Sequence, residues 1–154
     1  MEINGVPAHP LVVHAAVVFV PMAASFVGAY AVPRLRWATR WPAAVTVVLA
    51  AVSVQLSAMT GGQLKEKLGE NPLIETHEMW AGRLQAGTWV LAGATLVAFW
   101  VFPHVTRLAG SSNREARLGV LEKPLMVLLP VLSIIVLVLV VVTGDAGARA
   151  VWAS

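Results

Sequence analysis

Charged positions in this chain are confined to short clusters between long apolar runs. Four stretches carry no Asp, Glu, Lys or Arg: Leu11 to Val32, Trp41 to Met59, Leu84 to Pro103 and Pro124 to Thr143, of 22, 19, 20 and 20 residues. Each matches the roughly 20 residues an α-helix needs to cross a hydrocarbon core about 30 Å thick. They predict transmembrane helices over approximately 10–32, 41–59, 80–103 and 124–143, and so an all-α fold, an integral membrane four-helix bundle. The stretches fill more than half of the chain and leave only short connections, so residues 1–154 read as a single transmembrane domain.

Composition agrees with that pattern. Of 154 residues 58% are apolar and 12% charged, against roughly 25% charged in a soluble globular domain, which weighs against a water-soluble enzyme. The first run reads as a retained helix, because no Lys or Arg precedes it and it is too long for a signal h-region. Without cysteine there can be no disulfide, no cysteine-ligated iron–sulfur cluster and no covalent c-type haem.

A sequence pI near 10.0 raises nucleic acid as a partner until the charges are sorted by loop. Loops 1 and 3 hold Arg34, Arg36, Arg40, Arg107, Arg114, Arg117 and Lys123 against Glu115 and Glu122, seven cations to two acids, or +5. The other face holds Lys65, Lys67, Arg83 and Arg149 against Glu2, Glu66, Glu70, Glu75, Glu78 and Asp145, or −2. Short cytoplasmic loops are enriched in Lys and Arg, so both termini are expected on the extracytoplasmic side. The basic loops then reflect topology, with no nucleic acid implied. Trp37, Trp41 and Trp100 fall at the inner interface and Trp80 and Trp152 at the outer one, as in an aromatic belt.

Pro21 and Pro130 lie inside predicted spans and should kink them. Helices 2 and 4 share an echo, beginning near Pro42 and Pro124 and ending in Thr60-Gly61-Gly62 and Thr143-Gly144-Asp145. The echo fits two similar helical hairpins, and it fits ordinary glycine C-caps equally well. Between Thr60 and Arg83, Leu64 and Leu68 suggest a short surface helix, broken at Gly69 to Pro72, that could cover the outer mouth of the bundle.

Candidate chemistry lies with the histidines, His9, His14, His77 and His104. His9 starts helix 1 beside Pro10, His14 sits near the outer boundary of the hydrocarbon, and His77 precedes helix 3. His104 follows the inner end of helix 3, 27 residues from His77 and so about 40 Å away, which separates it from any shared site. The stripe from His14 runs through Val17, Val18, Pro21, Ser25 and Gly28, and that from His77 through Ala81, Leu84, Gln85, Thr88, Ala92 and Thr95. Small and polar stripes turn into a bundle, so Ser25, Gly28, Thr88 and Ala92 are expected inside. Histidines at this depth point to ligation of haem iron or of a metal ion. The haem site would use His14 and His77, with Arg83 on a propionate; a metal site would draw on His9, His14 and His77, with Glu66, Glu70, Glu75 and Glu78 assisting unless these acids are merely solvated. Height along the helices sets His77 closer to His9 than to His14. The alternative has His14 bonded to a neighbouring backbone carbonyl, His77 solvated and Arg83 snorkelling. No phosphate loop, H-E-x-x-H or nucleophile elbow is present.

The opening Ile3-Asn4-Gly5-Val6-Pro7-Ala8-His9-Pro10-Leu11-Val12-Val13-His14 resembles the HPLLVH signature of a bacterial four-helix membrane family catalogued as domain of unknown function 2231. Val20-Pro21, Thr60-Gly61 with the charged helix after it, and Pro72-Leu73-Ile74-Glu75-Thr76-His77 extend the resemblance over most of the chain. It implies an integral protein of the bacterial inner membrane in a redox setting, because some relatives are joined to Rieske or cytochrome-type domains. His9, His14 and His77 match the family pattern, whereas Ala15 stands where phenylalanine is frequent and these 154 residues carry no such redox domain.

Two function classes follow. One is a b-type haem or metal-binding membrane redox protein, exchanging electrons with quinone or a redox partner protein. The other is a non-enzymatic accessory or scaffold subunit with structural histidines. Metal transport is disfavoured by the absence of charge from the four spans. Homo-oligomerisation stays open.

Overall fold

The computed structural model describes residues 2–3, 6–68, 71–103 and 119–152. Two short strands, β1 (Glu2–Ile3) and β2 (Val6–Pro7), pair antiparallel with Glu2 opposite Pro7. Four helices follow: α1 (Ala8–Ala31), α2 (Arg36–Leu68), α3 (Pro72–Val101) and α4 (Gly119–Trp152). A 3-10 turn at Pro33–Leu35 joins the first two. All four helices are long and apolar enough to cross a membrane. Where no water can satisfy backbone groups, a helix that pairs every amide internally is the form such stretches must take.

The helices outrun the apolar stretches at one end of the bundle. α2 continues unbroken through Gly61 and Gly62 to Leu68, so the expected surface helix at Leu64–Leu68 forms its last turns. α3 begins at Pro72, eight residues before the expected start. Asn71 caps it with a side-chain oxygen 2.9 Å from the Leu73 amide, and proline at the first helical position loses no hydrogen bond. His77 is therefore a helical residue. At the other end α1 and α3 stop at Ala31 and Val101, one to two residues short of expectation. Val32 (φ −80°, ψ 118°) precedes Pro33 and Phe102 (φ −69°, ψ 139°) precedes Pro103, and a residue before proline is held in the extended region.

α1 packs on α2 and α4, and α3 packs on the same two, which places α1 diagonally from α3 and α2 from α4. Val20, Val27, Tyr30, Val47, Leu91, Leu129 and Val136 are fully buried between them. Buried hydroxyls on α3 are satisfied within the helix, Thr88 on the Leu84 carbonyl and Thr95 on the Leu91 carbonyl, both at 2.7 Å.

The stripe expected inside on α3 is inside: Leu84, Thr88, Ala92 and Thr95 are buried. On α1 the expectation fails, because Val17, Val18 and Ser25 are exposed and Gly28 only partly covered. The buried face is Ala16, Val20, Ala23, Ala24, Val27, Tyr30 and Ala31. Ser25 can face outward because its hydroxyl bonds the Pro21 carbonyl at 2.8 Å. The alanines are as small as the stripe preferred from sequence and let the neighbouring helices approach as closely. Seven residues separate His9 from Ala16, two helical turns, so His9 and not His14 heads the buried face.

Candidate functional site

The starts of α1 and α3 and the ends of α2 and α4 enclose a mostly apolar cavity of about 680 Å³. His9, His14 and His77 all line it.

His9 and His77 are held in the same manner by different helices. His9 Nδ1 is 3.1 Å from the Ser57 carbonyl and 3.1 Å from Thr60 Oγ1 on α2. His77 Nδ1 is 3.0 Å from the Thr143 carbonyl on α4. Each ring also lies against a glycine. A Cβ on Gly61 would stand 3.1 Å from His9 Cε1, and one on Gly147 would stand 3.0 Å from His77 Cε1. These glycines lie one turn beyond the accepting carbonyls, and a Cβ there would press on the ring closely enough that the ring or the helix must give by a few tenths of an ångström.

Tautomers follow from the acceptors. A carbonyl only accepts, so Nδ1 of His9 and of His77 carries the hydrogen, and in the neutral ring Nε2 keeps its lone pair. Neither Nε2 has a hydrogen-bond partner among the described residues. Nδ1–H on a backbone carbonyl with Nε2 left available is the arrangement that orients histidine as a metal ligand. His14 also lines the cavity, is exposed, and bonds through Nδ1 to the Pro10 carbonyl of its own helix. Thr143 contributes a further polar atom, since its Oγ1 is buried without a hydrogen-bond partner.

The remaining residues singled out in the sequence lie elsewhere. Arg83 is exposed, stacks over Trp80 at 4.5 Å from the ring centroid, and does not line the cavity. Glu78 is at the rim in an ion pair of 2.6 Å with Lys65, tying α3 to α2. Among the described residues no group of three His, Cys, Asp or Glu gathers in metal-binding geometry. His104 lies outside the described residues.

At the opposite end, sequence reasoning missed a buried arginine. Arg36, expected in a loop, is 3% exposed. Its Nη1 is 2.6 Å from Glu122 Oε1 on α4, and its guanidinium lies 3.9 Å from the Phe102 ring centroid. Arg40, one turn on, stacks on Phe99 in the same way and donates to the Phe99 carbonyl at 3.1 Å, near the C-terminus of α3. The signal was present in the i, i+4 arginines facing two phenylalanines at a helix end, where cations complement the exposed carbonyls.

No curated protein and no solved structure matches the chain. A family model does, over residues 5–154: with four helices long and apolar enough to cross a membrane and that match along nearly its whole length, the chain belongs to the family of predicted membrane proteins catalogued as domain of unknown function 2231.

Proposed function

We propose that this multi-pass membrane protein binds a b-type haem at the histidine end, where His9 and His77 would hold it, and exchanges electrons with a quinone or a redox partner protein. One observation carries the reading. Two imidazoles anchored through Nδ1–H to carbonyls of neighbouring helices line one apolar cavity of about 680 Å³, whereas His14, which lines it too, is bonded to its own helix. A haem would ask only one or two ligands of the protein. A bare transition-metal ion needs three or four protein ligands, and no such group gathers among the described residues, so haem suits this donor set better. The pairing favoured is His9 with His77, with His14 outside the ligand set. Arg83 would reach a propionate only by leaving Trp80.

The +5 and −2 division of charge supports an orientation in which the arginine end faces the cytoplasm of a bacterial cell and the histidine end faces outward across the inner membrane. When bound, haem would supply one-electron chemistry; the chain's own residues would orient the ligands and surround the group with mostly apolar side chains.

The test is the visible spectrum of full-length protein purified after haem supplementation. A Soret band lost in His9→Ala and in His77→Ala but kept in His14→Ala is the expected result. Native protein without a chromophore would overturn the reading in favour of an accessory subunit. That second reading draws on the same contacts: each imidazole already joins two helices across a glycine, a structural role that needs no cofactor.

A further inference from the structure

The contacts of His9 and His77 repeat with fixed offsets. His9 to His77 is a shift of 68 residues between α1 and α3. Ser57 to Thr143 and Gly61 to Gly147 are both shifts of 86 residues between α2 and α4. The α2 and α4 offset differs from the one suggested by the Thr-Gly echo, which would set Gly61 against Gly144.

These offsets, set at the histidine end, also match buried positions further along the bundle, more fully between α1 and α3 than between α2 and α4, where buried Thr46, Ala51, Ser53 and Val54 fall on partly buried residues. A shift of 68 carries Ala16, Val20, Ala23, Ala24, Val27 and Tyr30 onto Leu84, Thr88, Leu91, Ala92, Thr95 and Ala98, all buried. A shift of 86 carries Thr39, Ala43, Val47 and Ala50 onto Leu125, Leu129, Ser133 and Val136, all buried. At the far end the shifts pair residues with their own counterparts. Arg36 maps onto Glu122, its ion-pair partner on the diagonal helix, and Tyr30 maps onto Ala98, whose carbonyl lies 3.4 Å from the Tyr30 hydroxyl. Two equivalent residues can touch each other only near the axis that relates them. The neighbour relations agree, since interchange of α1 with α3 and of α2 with α4 leaves the set of packed pairs unchanged.

We infer that the bundle is two copies of one helical hairpin about a pseudo-two-fold axis parallel to the helices, and that the histidine cavity is one site on this axis, built from two equivalent half-sites. Its occupant would be a single planar metal chelate, held by the equivalent imidazoles. The identity of the occupant rests on the haem reading above; the axis does not. The half-sites are not identical: Thr60 Oγ1 bonds His9 whereas the counterpart of Thr60 is Ala146, and the lining residues His14, Pro10 and Lys65 correspond to Gly82, Glu78 and Val151. These differences, His14 against Gly82 among them, are what could distinguish the two halves of the site.

The chain has no cysteine, so introduced thiols are unique labelling sites in the full-length protein. Spin labels at Met22→Cys with Val138→Cys, and separately at Val90→Cys with Val52→Cys, occupy exposed positions interchanged by the two shifts. The two pairs are expected to give equal distances in detergent, and unequal distances would overturn the repeat. Haemin titration supplies the second arm. Equal loss of haem binding in His9→Ala and His77→Ala, restored in each by free imidazole, supports the shared site. Binding lost with only one of them would overturn the shared site and leave the haem reading standing. Equal spin distances without haem binding by the native protein would overturn the haem reading and the chelate, and leave the axis.

Discussion

His77 and Gly147 are in contact so close that a single added carbon could not be accommodated without movement, since a Cβ on Gly147 would lie 3.0 Å from His77 Cε1 and 3.1 Å from Nδ1. Gly61 stands in the same relation to His9. Gly62 and Gly144, neighbours of the same type in the same helices, have nothing within 4 Å of that position.

The contrast predicts opposite outcomes for one chemical change. Alanine in a helix interior is favoured over glycine by up to about 1 kcal/mol, so Gly62→Ala and Gly144→Ala should leave the detergent melting temperature unchanged or raise it. At Gly61 and Gly147 the same gain is opposed by an overpacking cost of about 1–3 kcal/mol, and the ring must shift off its carbonyl. Gly61→Ala and Gly147→Ala should therefore lower stability, with displaced imidazole signals in histidine-selective NMR. A raised melting temperature at all four positions would refute the account of the glycine seats.

The α1 face gives a second prediction. Ser25 is exposed and Ala24 is 2% exposed, although they are adjacent. Ser25→Leu should leave the melting temperature nearly unchanged, whereas Ala24→Leu should cost about 1–3 kcal/mol by overpacking. The reverse order in a thermal-shift assay would restore the stripe through His14 to the interior.

That pair also shows what could be read from the sequence and what could not. The four spans were legible because the hydrocarbon core demands long uncharged runs, and the shared end of His9, His14 and His77 followed from counting turns. The inward face of α1 was not legible. In a bilayer the lipid is as apolar as the bundle interior, so Val17 and Val20 carry no label saying which is buried. The polarity of Ser25 misled, because the hydroxyl is spent on the Pro21 carbonyl of its own helix. Gly61 and Gly144 resembled helix ends, yet α2 and α4 run past both, and the ring that Gly61 accommodates, His9, comes from another helix.

Orientation is the third prediction. With seven cations against two acids at the arginine end and a net −2 at the histidine end, a periplasm-active reporter fused at Ser154 should be active, and one inserted within residues 111–113 should be silent. A cytoplasm-active reporter should give the reverse. Cytoplasmic activity from the Ser154 fusion would place the histidine cavity on the inner face.

The last prediction concerns the ion pair at the other end. Arg36 is buried, with its Nη1 2.6 Å from Glu122 Oε1, while its Nε and Nη2 have no hydrogen-bond partner among the described residues. Removing the acid leaves a buried, uncompensated cation, which costs about 3–5 kcal/mol, whereas replacing both members by apolar residues of similar volume is often neutral or stabilising. Glu122→Ala should thus lower the melting temperature sharply. The double variant Arg36→Met with Glu122→Met should recover most of the loss. Because it removes one charge of each sign, the net charge of that end and the insertion signal it carries are unchanged, so recovery can be read as stability and not as altered topology. If the double variant is as unstable as Glu122→Ala, the pair contributes more than charge compensation, and the stacking of Arg36 on Phe102 becomes the contact to test with Arg36→Lys, which keeps the charge and loses the planar face.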